Sequence, residues 1–173
     1  MAIYLLGLRG SGKSTVGRLA AQRGGGAFVD LDDITPGLLG CATAGEALRT
    51  HGEPAFRAAE RGALDDPRVR AAGIIALGGG TPTFPASADE LRARFAAGDR
   101  LVYLRASIPT LRARLAATNL ATRPSLTGAD PLAEVQTLWE RRDPLYRALA
   151  GRVVDVDGLG VEAVVAAVLG SPA

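Results

Sequence analysis

Gly7-Leu8-Arg9-Gly10-Ser11-Gly12-Lys13-Ser14 satisfies the pattern G-x-x-x-x-G-K-[ST] at every fixed position. Residues 2–6 (AIYLL) precede it and read as a short buried strand. An amphipathic run from about Ser14 to Arg23 follows it, read as a helix that a cluster of glycines, 24–26, brings to an end. Strand, glycine-rich turn and helix are the setting in which this pattern binds phosphate. The glycines let successive N–H groups turn inward, and the helix N-terminus adds partial positive charge. Lys13 is the only lysine beside 19 arginines. A slim stem carrying a point charge fits inside such a loop where a planar guanidinium fork does not. The expected nucleotide contacts are therefore Gly10, Ser11, Gly12, Lys13, Ser14 and Thr15, with Lys13 on the β- and γ-phosphates and Ser14 a ligand of Mg²⁺.

Outward from this loop, strand and helix patterns alternate. Strands are expected at 27–31, 73–77, 101–104 and 152–156. Helices are expected at about 43–51, 54–65, 87–97, 108–117 and 131–149, with a last one from about 160. Residues 118–130 are polar and loop-like. The alternation predicts an α/β fold: an open parallel sheet covered by helices on both faces, with ligands beyond the carboxyl ends of its strands. The length of 173 residues suits one domain with its own core.

Period-two alternation through Phe28-Val29-Asp30-Leu31-Asp32 puts Asp30 and Asp32 on one face at a strand end, close to the expected phosphates. One carboxylate would hold the metal through water, and the other would accept or orient a substrate hydroxyl. The same two residues would also suit the capping of a following helix. Gly78-Gly79-Gly80 directly follows the strand GIIAL, where three glycines allow a ligand to approach the backbone or form a plain turn. Arg123 lies in the polar stretch NLATRPSLTG, placed as a lid arginine that meets the charge of a transferred phosphoryl group. Spacing alone does not single out Arg57 or Arg142. His51 and Cys41 belong to no ligand constellation, and Trp139 and Tyr146, seven apart on the long helix, read as core or docking contacts.

Composition narrows the function. Twenty basic against 18 acidic residues, scattered along the chain, argue against nucleic acid, as do the sparse aromatics at 5%. No apolar run suits a membrane span, and the N-terminus lacks the basic start of a secretion signal. A single cysteine rules out an intrachain disulfide and suits a cytoplasmic protein. With its only lysine in the loop, the chain has no N-K-x-D guanine-reading motif.

GLRGSGKSTVG, FVDLD, GEPAFRAAE, LGGGTPTF, RPSLTG and ERRDPLYRALA, in that order and across nearly the whole chain, resemble the shikimate kinase family. The resemblance implies a P-loop NTPase, nucleoside-kinase-like domain over 1–173, with a substrate-binding helical region at about 31–60 and a lid at about 115–130. It implies transfer of the γ-phosphoryl group of ATP to the 3-hydroxyl of shikimate, with Mg²⁺, by a monomer that acts on a small molecule and has no nucleic-acid or membrane partner. Catalytic roles fall to Lys13, Asp32 and Arg123. Asp32, Arg57, Arg142 and the backbone of Gly78, Gly79 and Gly80 would bind the substrate, the two arginines by its carboxylate. Ser14 and Asp30 would hold the metal, Arg123 would reach ATP, and Glu60 matches a glutamate near the pocket. Ser125 departs from the leucine common after the lid Arg-Pro. Ala116 or Ala117 stands where many members carry an adenine-stacking arginine, with Arg114 slightly displaced. The competing readings are another small-molecule kinase, such as one for gluconate, and a nucleotide-binding regulatory module without phosphotransfer.

Overall fold

Three short apolar segments, 3–6, 74–76 and 101–104, are buried along their whole length and set the core of a five-stranded parallel sheet. The computed structural model describes residues 1–24, 26–117 and 131–170. Its elements run β1 (Ile3–Leu6), α1 (Lys13–Gly24), β2 (Phe28–Asp30), α2 (Leu31–Leu38), α3 (Ala44–Ala63), α4 (Pro67–Ala71), β3 (Ile74–Ala76), a 3₁₀ turn (Thr81–Thr83), α5 (Pro85–Ala96), β4 (Arg100–Arg105), α6 (Ile108–Ala117), α7 (Pro131–Leu149), β5 (Arg152–Asp155) and α8 (Val161–Leu169). The sheet order is β2-β3-β1-β4-β5. Every residue of β1 and β3 is buried, as expected of parallel strands covered on both faces.

The topology places the ligand crevice. The chain leaves β1 toward β2 on one side and leaves β3 toward β4 on the other, so the order reverses between two adjacent strands. Leu5 pairs with Ala76, and Ala76 with Asp30. The phosphate-loop motif, the triple glycine and Asp30 therefore emerge side by side at one edge of the sheet.

Two local features correct the expected elements. The second strand stops at Asp30, whose carboxylate accepts a 3.1 Å hydrogen bond from the Asp32 N–H and so caps α2. Asp32 lies in the first helical turn, and the strand alternation that was to pair it with Asp30 does not extend that far. The two helices expected at 43–51 and 54–65 form one element broken at Gly52, where φ is 79°. That left-handed conformation favours glycine, and Pro54 starts the second half, where its missing N–H costs nothing. Arg57 and Glu60 project from that second half.

The long helix α7 is fastened to β4 by a buried carboxylate. Asp143 accepts from the Tyr103 hydroxyl at 2.9 Å, Arg105 Nε at 2.8 Å and Arg147 Nε at 2.9 Å. Burial favours the neutral acid, but the hydrogen bonds from Arg105, Arg147 and Tyr103 outweigh it and hold the carboxyl below the usual range. Trp139 donates its indole N–H to the Ala106 carbonyl at 2.9 Å, with Arg105 over its ring at 4.9 Å. Among the described residues no helix is long and apolar enough to cross a membrane.

On the opposite face α1 approaches the sheet closely at Gly17. A Cβ there would strike the Phe28 ring and lie 3.3 Å from Leu5 Cδ1. Gly17→Ala should therefore cost about 1–3 kcal/mol by overpacking. Thermal unfolding monitored by circular dichroism should shift down by roughly 2–4 °C per kcal/mol. An unchanged melting temperature would contradict the tight contact.

Candidate active site

The phosphate loop is shaped to hold anions. Gly10 and Gly12 adopt φ of 86° and 99°, turning the backbone as the motif requires. Lys13 folds back so that Nζ donates to the carbonyls of Gly7 at 2.7 Å and Leu8 at 3.2 Å. Arg114 of α6 donates to the carbonyls of Gly10 at 3.2 Å and Ser11 at 3.3 Å, which places the displaced arginine against the loop itself. Ser11 is buried, and Thr15 stands exposed one residue beyond Ser14. The Ser14 hydroxyl donates to Asp30 Oδ2 at 2.6 Å. A hydroxyl and a carboxylate thus meet at the helix start, a pair of hard oxygen donors of the kind Mg²⁺ takes.

The triple glycine is crowded at its first and third positions. A Cβ on Gly78 would strike Glu60 Oε1 and lie 2.9 Å from both Asp32 Oδ1 and Thr81 Oγ1. One on Gly80 would strike the Arg57 guanidinium. One on Gly79 would stand 3.5 Å from Arg142 Nη1, 3.8 Å from the Gly7 carbonyl and 3.9 Å from the Arg9 nitrogen. Asp32, Arg57 and Arg142, from three different helices, therefore converge on one turn that also faces the phosphate loop.

Each arginine is held by protein acceptors. Arg57 donates Nη1 to Glu60 Oε2 at 2.6 Å, and Nη2 and Nε to Glu53 Oε1 at 3.0 and 3.3 Å. Burial opposes its charge, but Glu60 and then Glu53 outweigh that and raise its pKa above the ordinary value. Beside it lies a cleft of about 340 Å³ lined by Glu53, Pro54, Arg57, Thr83 and Phe84. Arg142 donates Nη1 to the Gly79 carbonyl at 3.0 Å, and the Tyr146 hydroxyl donates to the same oxygen. Burial pushes the Tyr146 phenol up to about 12, against the lowering pull of Arg142.

The structure brings together Lys13, Ser14, Asp30, Asp32, Arg57, Gly78, Gly79, Gly80 and Arg142. Arg123 and residues 118–130 of the expected lid lie outside the described residues. His51 is exposed, and Cys41 is a free, half-buried thiol. Tyr146 was expected only as a core or docking side chain. It is fully buried and also touches the Gly79 carbonyl, and its position four residues after Arg142 on one helix was the available signal. Thr81 and the fastening role of Asp143 carried no signal in spacing.

A family model described as shikimate kinase matches residues 9–171. A shikimate kinase of Oleidesulfovibrio alaskensis is 38% identical over 154 residues, 88% of this chain and 87% of that protein. The structure of shikimate kinase from Acinetobacter baumannii in complex with shikimate has a TM-score of 0.84 at 30% identity, covering 97% of this chain and 90% of the other. A gluconokinase from Sinorhizobium meliloti has a TM-score of 0.57 at 24% identity, covering 97% of this chain and 89% of the other, and shares the fold alone.

All three tyrosines, Tyr4, Tyr103 and Tyr146, have phenols raised chiefly by burial. Above pH roughly 10 the unfolded chain loses phenol protons that the folded chain keeps, so folding stability should fall as pH climbs through that window. The slope should be about 1.4 kcal/mol per pH unit for each withheld phenol. Phenolate absorbance should appear together with loss of the near-ultraviolet dichroism. Full phenolate absorbance at pH about 10.5 in a still-folded chain would contradict the burial of these hydroxyls.

Proposed function

The chain belongs to the shikimate kinase family, and we infer that it works by clamping shikimate on the triple-glycine turn opposite the phosphate loop. It transfers the γ-phosphoryl group of ATP to the 3-hydroxyl of shikimate, releasing shikimate 3-phosphate and ADP. The observation that carries the proposed site is the convergence of Asp32, Arg57 and Arg142 on Gly78–Gly80, with Gly79 against the backbone of Gly7 and Arg9.

In this reading the substrate carboxylate is gripped by Arg57 and Arg142, whose planar forks suit it. Glu53 is 70% exposed, so the Arg57 donors it now holds exchange to the substrate at little cost. Asp32 accepts the hydrogen bond of the 3-hydroxyl and turns its oxygen toward the γ-phosphorus. That oxygen forms the new P–O bond as the bond to the β,γ-bridging oxygen breaks, and the hydroxyl proton is given up along its hydrogen bond to Asp32 and passes to solvent. Lys13 leaves the carbonyls of Gly7 and Leu8 for the β- and γ-phosphates, and the loop N–H groups hold the remaining oxygens. Ser14 and Asp30 fit a Mg²⁺ ion, which when bound neutralises phosphate charge. Catalysis is then positioning and electrostatics with no covalent enzyme intermediate.

The substrate-binding region in this proposal is about 31–60, that is α2 and most of α3. The reading carries with it a cytoplasmic monomer acting on small molecules, supported by the scattered and nearly balanced charge.

ADP release from ATP and Mg²⁺, followed with shikimate, with gluconate and with no acceptor, tests the reaction. ADP should form with shikimate alone. Asp32→Asn should keep ATP binding yet lose at least about a hundredfold in kcat, the usual size of a lost acid–base or orienting group. Full turnover by that variant would remove Asp32 from its role.

A further inference from the structure

Resting on the acceptor site just described, we propose that Thr81 is a positioning residue for shikimate: its hydroxyl fixes Glu60, and Glu60 fixes Arg57. Thr81 opens the 3₁₀ turn directly after the triple glycine and is fully buried. Its Oγ1 donates to Glu60 Oε1 at 2.6 Å. The other oxygen of the same carboxylate, Oε2, accepts from Arg57 Nη1, also at 2.6 Å. Glu60 is only 2% exposed, so its two oxygens depend on protein donors in place of water. A carboxylate held at both oxygens has its plane and direction set, and so has the guanidinium edge docked on it.

The two edges of Arg57 differ in consequence. The Nη1 edge rests on a buried, doubly held carboxylate. The Nε and Nη2 edge rests on Glu53, which is exposed and readily displaced. Substrate therefore competes for the Glu53 edge, while the Thr81–Glu60 pair decides where that edge points. The turn itself ties the relay to the reacting end of the site, because Glu60 Oε1, Asp32 Oδ1 and Thr81 Oγ1 all close around Gly78. Thr81 needs no contact with substrate for this role. A valine at the same place keeps the shape and loses the donor, leaving Glu60 Oε1 buried without it.

The test compares wild type, Thr81→Val and Thr81→Ser in steady-state kinetics, with both substrates varied and folding checked by circular dichroism. Thr81→Val should raise the KM for shikimate by about tenfold or more, the scale of one lost charge-assisted hydrogen bond, and leave the KM for ATP within about twofold. Thr81→Ser restores the hydroxyl and should return the shikimate KM to within about threefold of wild type. In an Arg57→Ala background, Thr81→Val should add nothing further to the shikimate KM. Thr81→Ala replaces the valine variant should that one not fold. An unchanged shikimate KM in the valine variant, an equal rise for both substrates, a failure of serine to rescue, or a full additive effect without Arg57 would each overturn the relay while leaving the functional reading intact. Wild type that turns over ATP with no shikimate dependence would instead sink the functional reading, and the relay with it.

Discussion

At Gly78 and Gly80 the neighbouring side chains leave no space for a Cβ in the turn between Leu77 and Thr81. Gly78 is enclosed by Glu60, Asp32 and Thr81, Gly79 stands between Arg142 and the phosphate loop, and Gly80 lies against the guanidinium of Arg57. A turn this bare lets three helices bring charged groups to one point without side chains of its own in the way. It follows β3, next to the strand that feeds the phosphate loop, so the turn and the loop stand together where the strand order reverses, which is where the proposed function puts acceptor and triphosphate.

The arms that reach this turn are braced far from it. Arg142 and Tyr146 converge on the Gly79 carbonyl from α7, which is fastened to β4 through Asp143, a carboxylate holding Tyr103, Arg105 and Arg147 at once. Tyr103 and Tyr146 meet edge to face at 5.1 Å, which joins that fastening to the turn through a single aromatic contact. Arg57 is braced in the same style from α3, with Glu60 buried beneath it. Charge is therefore carried into the site already paired, and the pairs that are exposed or made to a lone carbonyl are the ones an anionic substrate can replace.

The fold was legible because its signals are local and repeated: apolar strands, glycine stops and one motif of strict spacing. The end of the second strand and the helix after it were not, because α2 has only eight residues with Pro36 inside it, and its start is marked by an aspartate that alternation alone places on the strand. Asp32 still arrives beside Gly78, from the first turn of a helix and not from the strand end that alternation indicates. Lys13, Ser14 and the glycines could be found from physics alone. Arg57 and Arg142 could not, since 19 arginines offer no way to choose two by spacing; only the family resemblance singled them out. The Thr81–Glu60 and Asp143–Tyr103 contacts join residues 21 and 40 positions apart, and no local pattern encodes those.

The central claim is that the substrate is gripped at the glycine turn by arginines that give up internal partners to hold it. A crystal structure of the chain with shikimate and ADP tests this most directly. The account predicts the carboxylate between Arg57 and Arg142, one hydroxyl on Asp32, Arg57 parted from Glu53 and still seated on Glu60. A carboxylate bound away from both arginines, or a shikimate ring with no hydroxyl near Asp32, would contradict it.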